Sequence, residues 1–182
     1  MKKIDPLLLK GDGSFFLPMR DEGIVARLSS SSFKVLDRWQ YPDCPRPSAL
    51  AQDEQRGRLF VACRGERPVL LVLDRDNGAL KASLPITRDV NALAYDPQAQ
   101  RLLIASGVDA NLSVVAQLDA DRYQLLGSVS TQPMAYNMAF DPRTRRVYLA
   151  AMDFTQPAAS PAEPKPDPLF HANTFKVLTL AP

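Results

Sequence analysis

Apolar positions in this chain come in short blocks rather than in long stripes. Phe15-Phe16-Leu17, Leu59-Phe60-Val61-Ala62, Val69–Leu73, Leu102-Leu103-Ile104-Ala105, Leu112–Ala116 and Val147–Ala150 are each bounded by Gly, Pro, Asp or Asn within a few residues. Blocks of this length, rich in leucine, β-branched and aromatic residues, have the size of buried strands, and no stretch sustains a 3.6-residue periodicity. The pattern predicts an all-β chain.

Three segments align when set beneath one another. Ser48-Ala49-Leu50-Ala51-Gln52-Asp53 precedes Arg58-Leu59-Phe60-Val61-Ala62; Asn91-Ala92-Leu93-Ala94-Tyr95-Asp96 precedes Arg101-Leu102-Leu103-Ile104-Ala105; Tyr136-Asn137-Met138-Ala139-Phe140-Asp141 precedes Arg146-Val147-Tyr148-Leu149-Ala150. The aspartates are 43 and 45 residues apart, and so are the arginines. A period in the forties filled with strands marks β-propeller blades, each of four antiparallel strands. Phe15-Phe16-Leu17-Pro18 lies 44 residues before Leu59-Phe60-Val61-Ala62, which adds a unit at the start. The prediction is therefore one propeller-type domain over 1–182, with blades at about 1–44, 45–88, 89–133 and 134–182.

Within a unit the expected order is an inner Ala- and Leu-rich strand, a second strand from the Arg, a third (Val69 to Leu73; Leu112 to Ala116) and an outer fourth (Leu80 to Leu84; Tyr123 to Val129). In the first unit, Gly11-Asp12-Gly13 is the first turn, Gly23 to Leu28 the third strand and Phe33 to Trp39 the fourth. Asp74–Gly78 and Asp119–Asp121 fall between third and fourth strands, where Asn-Gly and Asp suit the positive φ of tight hairpins. The aspartate closing each inner strand is expected to cap the turn backbone rather than to do chemistry. Small residues such as Ala49, Ala51, Ala92, Ala94 and Ala139 suit the crowded strand nearest an axis. The last unit departs from the pattern: five prolines between Pro157 and Pro168 make a stiff excursion over 155–173 that is not expected to pair in a sheet, then Thr174–Leu180 forms a last strand and a fourth is missing.

Composition narrows the functional classes. With 182 residues and 46% apolar content the chain can bury a core, which excludes global disorder. Twenty-two Lys and Arg against 20 Asp and Glu give a net charge of +2, so nucleic acid is a disfavoured partner, even though Phe33, Trp39 and Tyr41 are available for base stacking. Trp39 is expected to pack against a neighbouring blade instead. Lys2 and Lys3 are followed by only three leucines before Lys10, too few for a signal-peptide core, and no apolar run approaches membrane-spanning length. Neither a phosphate loop, a dinucleotide fingerprint nor a nucleophile elbow occurs, and Asp74-Arg75-Asp76 fails as a calcium loop because Pro85 holds its twelfth position. No catalytic residue, metal ligand or cofactor is therefore assigned.

The third- and fourth-strand segments resemble the YVTN-repeat β-propellers, in particular the YncE-like branch. Leu71-Val72-Leu73-Asp74, Asn77-Gly78 and Lys81-Ala82-Ser83-Leu84-Pro85-Ile86 carry the likeness; the family tetrapeptide is represented only by Phe60-Val61-Ala62-Cys63, Leu103-Ile104-Ala105-Ser106 and Tyr148-Leu149-Ala150-Ala151. The excursion followed by Phe175-Lys176-Val177-Leu178 is similar to the family's C-terminal end. The resemblance implies a protein exported in bacteria, without a general catalytic motif, of which this chain looks like the last four of usually seven blades. Four blades in an arc leave two apolar sheet faces to cover, by self-closure, by a homodimer completing a ring, or by the rest of a longer product; the last two rank above the first.

In a propeller, the loops entering each inner strand and those joining second to third strands share one face. That rule nominates Arg46, Arg88, Asp89, Asn91, Tyr136 and Asn137 from the first set, and Arg64, Glu66, Arg67, Asp109 and Asn111 from the second. The ligand-binding candidates are Arg64, Arg67, Arg88, Asn91, Asp109, Asn111, Tyr136 and Asn137, where guanidiniums and amides would hold an acidic group of a protein or a small anionic ligand. The plainer reading is a set of solvated loop residues. A propeller-type metal-dependent hydrolase or lactonase would need acids converging on a metal, for which Asp89, Asp109 and Asp153 are the donors available. Single-stranded nucleic-acid binding and an inactive truncated propeller complete the range of functions open to such a chain. Cys44 and Cys63 both fall toward the loop face, with a disulfide and two free thiols equally open, and His171 is read as an exposed loop residue.

Overall fold

The computed structural model describes residues 5–161, 163, 164 and 166–181; the lysines at the start of the chain lie outside these. Its first sheet holds β1 (Leu8–Leu9), β2 (Ser14–Met19), β3 (Ile24–Ser29) and β4 (Val35–Gln40); a short 3-10 turn, Arg20–Glu22, joins β2 to β3. The second holds β5 (Arg46–Asp53), β6 (Arg58–Arg64), β7 (Val69–Asp74) and β8 (Leu80–Pro85). The third holds β9 (Val90–Asp96), β10 (Arg101–Ser106), β11 (Asn111–Gln117) and β12 (Tyr123–Ser130). Each is an antiparallel meander. The fourth has three strands among the described residues, β13 (Asn137–Asp141), β14 (Arg146–Ala151) and β17 (Lys176–Leu180).

Side-chain alternation explains the stacking. In the second sheet Ala49, Ala51, Phe60, Ala62, Leu70 and Val72 enter a cluster shared with Val90, Leu102, Ile104 and Val115 of the third. Their neighbours in sequence, Leu50, Leu59, Val61, Cys63, Leu71 and Leu73, point the other way and meet Phe16 and Val25 of the first sheet. Because side chains alternate across a strand, burying both faces demands continuous apolar runs, which Leu59–Cys63 and Val69–Leu73 supply. A third cluster joins Ala105 and Leu112 to Val147, Leu149 and Ala151 of the fourth sheet. Inner strand β5 lies beside β9, and β9 beside β13. Among the described residues no buried cluster joins the fourth sheet to the first, so the blades form an arc.

Polar pins cross the same seams at the end opposite the candidate loops. Asp53 caps its own turn through the Arg56 backbone N–H at 3.2 Å, and its other oxygen accepts from Gln117 Nε2 at 3.0 Å and Tyr95 Oη at 3.3 Å in the next blade. Asp96 accepts from the backbone of Gln98 and Ala99, and from Arg145 Nε of the next blade at 2.8 Å. Asp141 caps Arg143 N–H in the same way, but its second oxygen accepts from Thr144 of its own turn. Lys10 takes the place in the first blade and reverses the polarity, pairing with Asp76 of the second blade's outer hairpin at 2.8 Å. Trp39 packs across a seam too: a Cβ on Gly78, whose φ is 74°, would lie 2.5 Å from its ring, so this hairpin position needs glycine on two counts.

Four local expectations are corrected. Strand β4 starts at Val35 rather than Phe33, since Phe33 occupies a turn with φ 54°. Asp119–Asp121 closes its hairpin without positive φ; the Asp119 carboxylate accepts instead from the N–H groups of Asp121 and Arg122, both at 2.9 Å. The last strand begins at Lys176, because Thr174 is drawn into a side-chain bond to His171 O and Asn173 turns at φ 62°. The excursion's ends do pair, as β15 (Phe154–Thr155) against β16 (Leu169–Phe170), with the two phenyl rings 6.0 Å apart. Its proline run lies between these strands, outside any ladder.

Candidate functional site

The loops entering the inner strands and those after each second strand lie at one end of the arc, and there the candidate residues divide into two groups and two outliers. Arg46 and Arg64 are direct partners across the β5–β6 ladder, which sets like charges opposite one another. Arg64, half-buried, is ion-paired with Asp89 and donates to Asn91 Oδ1 at 2.7 Å. Burial, then the neighbouring Arg20 and Arg46 guanidiniums, pull the Arg64 group below its ordinary value, while Asp5 and Tyr136 act in the opposite sense. It stays protonated in the working range. Arg20, nearly buried, holds Asp5 through a two-pronged pair. Arg46 is exposed and has no hydrogen-bond or ionic partner among the described residues.

The second group is Arg88 with Asp109. Asp109 accepts from the Arg88 backbone N–H at 2.7 Å and from its guanidinium at 2.7 and 2.9 Å. This contact holds the Asp109 carboxyl below the usual carboxylate range and raises Arg88. Asn111 is occupied nearby, accepting from Thr87 Oγ1 at 3.2 Å and from Ser113 Oγ at 3.4 Å. Tyr136 covers Gly107, where no side chain would fit beneath its ring. The outliers are Arg67, exposed with Glu66 and Pro68 at a groove of about 650 Å³, and Asn137, exposed at the start of β13.

The acids considered for metal binding do not converge. Asp89 pairs with Arg64, Asp109 with Arg88 and Asp153 with Lys176, and no group of three metal-ligating side chains occurs among the described residues. His171 is exposed and bonds Thr155 Oγ1 at 2.9 Å. Cys44 and Cys63 are joined in a disulfide, both nearly inaccessible, with Cα atoms 5.2 Å apart. The bond ties the linker carrying Arg46 to the strand ending in Arg64.

Two spaces open along the hub. A cavity of about 140 Å³ below the arginines is walled by residues of all four blades, including Leu7, Ala49, Leu93 and Met138. At the far end a wider opening of about 640 Å³ lies between β5, β9 and β13, beside Asp53 and Tyr95. Burial pushes the Tyr95 hydroxyl up to about 12.

Sequence reasoning did not nominate Arg20 or Asp5. Arg20 follows the first blade's second strand, so the loop rule that found Arg64 would have found it had the first unit been treated like the others. Asp5 carries no repeat signal.

No protein-family model matches the sequence, and no curated protein matches it. Solved structures do match the fold. Kuenenia stuttgartiensis hydrazine synthase aligns with TM-score 0.67 at 13% identity over 81% of this chain and 40% of its own. A chain of the mitotic checkpoint complex aligns with TM-score 0.70 at 14% identity, over 81% of this chain and 47% of its own. The fold is that of a β-propeller. A protein of unknown function from Bacteroides caccae is also similar, with TM-score 0.62 and 14% identity over 84% of this propeller and 54% of its own chain. The propeller spans about half or less of the length of each of these structures. No helix among its described residues is long and apolar enough to cross a membrane.

Proposed function

We propose that the chain is a non-catalytic binding scaffold of the YncE-like type, a single propeller-type domain that recognises a protein or small anionic ligand on its loop face. The observation that carries this reading is the convergence of Arg20, Arg46 and Arg64, with Arg46 facing Arg64 and having no acidic partner among the described residues. Opposed guanidiniums weaken a sheet unless an anion lies between or above them. Arg88 with Asp109, and the amides of Asn91, Asn111 and Asn137, extend the same face.

The test is titration with an acidic decapeptide, followed by fluorescence anisotropy. Binding is expected to weaken as salt rises and to be lost in the triple variant Arg46→Gln, Arg67→Gln, Arg88→Gln. Binding that survives this variant but disappears when Arg101 and Arg146 at the opposite end are replaced contradicts it. The free faces at the two ends of the arc make a second copy, closing a ring, the proposed covering partner. Light scattering at twice the chain mass supports that pairing, and one chain mass at micromolar concentration contradicts it.

A further inference from the structure

The small hub cavity and the arginine cluster adjoin through the chain itself. Asp5, held by Arg20, is followed directly by Pro6 and Leu7 in the cavity wall. Arg46 lies two residues before Ser48, and Arg64 is bonded to Asn91; both Ser48 and Asn91 line the same space. Ser48 is itself satisfied, its hydroxyl donating to Val90 O at 3.0 Å, so the polar demand at the cavity mouth comes from the guanidiniums and the Asn91 amide. Arg20 is paired with Asp5 and Arg64 with Asp89, while Arg46 has no acidic partner among the described residues. The other side chains lining the space are apolar, with backbone polar atoms exposed between them. A space of about 140 Å³ has room for a branched group of about four carbons.

We propose that the hub mouth is a binding site for an aliphatic carboxylate, with the carboxylate on Arg46 and Arg64 and the hydrocarbon group in the cavity among Leu7, Ala49, Leu93 and Met138. This rests on the reading of the loop face as an anion-recognising surface and gives it a ligand class. A free branched short-chain acid and a peptide C-terminus ending in an aliphatic residue offer the same chemistry.

The experiment is an amide-resolved NMR titration of the full chain with isovalerate, isovaleramide, acetyl-glycyl-leucine and the amidated form of that peptide. Saturable shifts at Arg46, Arg64, Asn91 and Leu93 with the acids, and none with the two amides, are expected. Arg46→Gln, at an exposed position with no partner among the described residues, weakens binding about tenfold or more, as loss of a charge-assisted pair implies. Leu7→Trp, at a position 51% exposed, fills the cavity and removes isovalerate binding while a weaker, Arg46-dependent response to acetate persists. Tighter binding of the peptide acid assigns the group to a chain terminus, and tighter binding of isovalerate to a free acid. Shifts confined to Arg88 and Asp109 overturn the hub site but leave the loop-face reading standing. Equal shifts with acids and amides overturn the carboxylate assignment, and no response on the loop face to any acid at millimolar concentration overturns both.

Discussion

The second and fourth blades are built from the same repeat, yet they stand in different surroundings. Leu59, Phe60, Val61 and Ala62 in β6, and Leu70 to Leu73 in β7, are completely buried because a sheet lies on each side. In the fourth blade Val147 and Leu149 face the third, while Val177 on β17 is 52% exposed. The pins differ in parallel: Asp53 and Arg58 reach into the third blade, Arg58 meeting Asp121 at 2.7 Å, whereas Asp141 serves its own turn and Arg146 has no partner among the described residues. A repeat motif thus specifies a sheet, and its neighbours decide how much that sheet contributes to stability.

The largest break in this comparison is expected from the core. Phe60→Ala, which empties the space between Tyr95 and Tyr123, should cost about 3–5 kcal/mol in urea unfolding, while Val177→Ala should stay within about 0.5 kcal/mol. Similar losses would mean that the fourth blade is covered as the second is. Next comes the disulfide that fastens the second blade's entry. Its 19-residue separation implies about 3 kcal/mol in the loop-entropy picture, so the double variant Cys44→Ala, Cys63→Ala should unfold at correspondingly lower urea, and dithiothreitol should have the same effect on the native chain.

The pins sharpen the comparison further. Asp53→Ala takes the cross-blade acceptor from the buried Gln117 amide and the Tyr95 hydroxyl, which keep Tyr123 and each other as partners, and should cost about 2 kcal/mol, against about 1 kcal/mol for Asp141→Ala, which loses only bonds within its own turn. The smallest effect is acid sensitivity. Asp76, Asp109, Asp119, Asp141 and Asp153 are all held below the usual carboxylate range, chiefly by hydrogen bonds from Lys10, Arg88, Arg122, Thr144 and Lys176 respectively. Lowered folded-state values mean that the unfolded chain takes up protons first as pH falls. Their stabilisation is therefore complete above about pH 4–5 and lost progressively below it. Because these groups are exposed or only partly covered, the melting temperature should fall only gently through that window, and a drop between pH 8 and 6 would contradict the assignment.

The repeat made the fold legible, since its spacing, the Arg at each second strand and the apolar runs needed by two-faced burial are all local signals. The turn role of Asp53, Asp96 and Asp141 was readable for the same reason, but their reach into the next blade was not: Tyr95, Gln117 and Arg145 lie 42 to 64 residues away, and a pair of that separation leaves no mark in one sequence. The paired ends of the excursion escaped because two-residue strands carry no pattern, although Phe154 and Phe170 flank the prolines. The candidate loops were found by topology, while the division into an Arg64–Asn91 group and an Arg88–Asp109 group depended on side-chain geometry. Whether Cys44 met Cys63 depended on how the linker folded back, which spacing alone left open.

Amide hydrogen exchange resolved along the chain tests the radial arc most directly. Strands β6, β7 and β10, each covered on both sides, should exchange only through global unfolding, and β13, β14 and β17 should exchange faster by orders of magnitude through opening of the terminal blade. Equal protection of the second and fourth sheets would contradict an open arc of four blades.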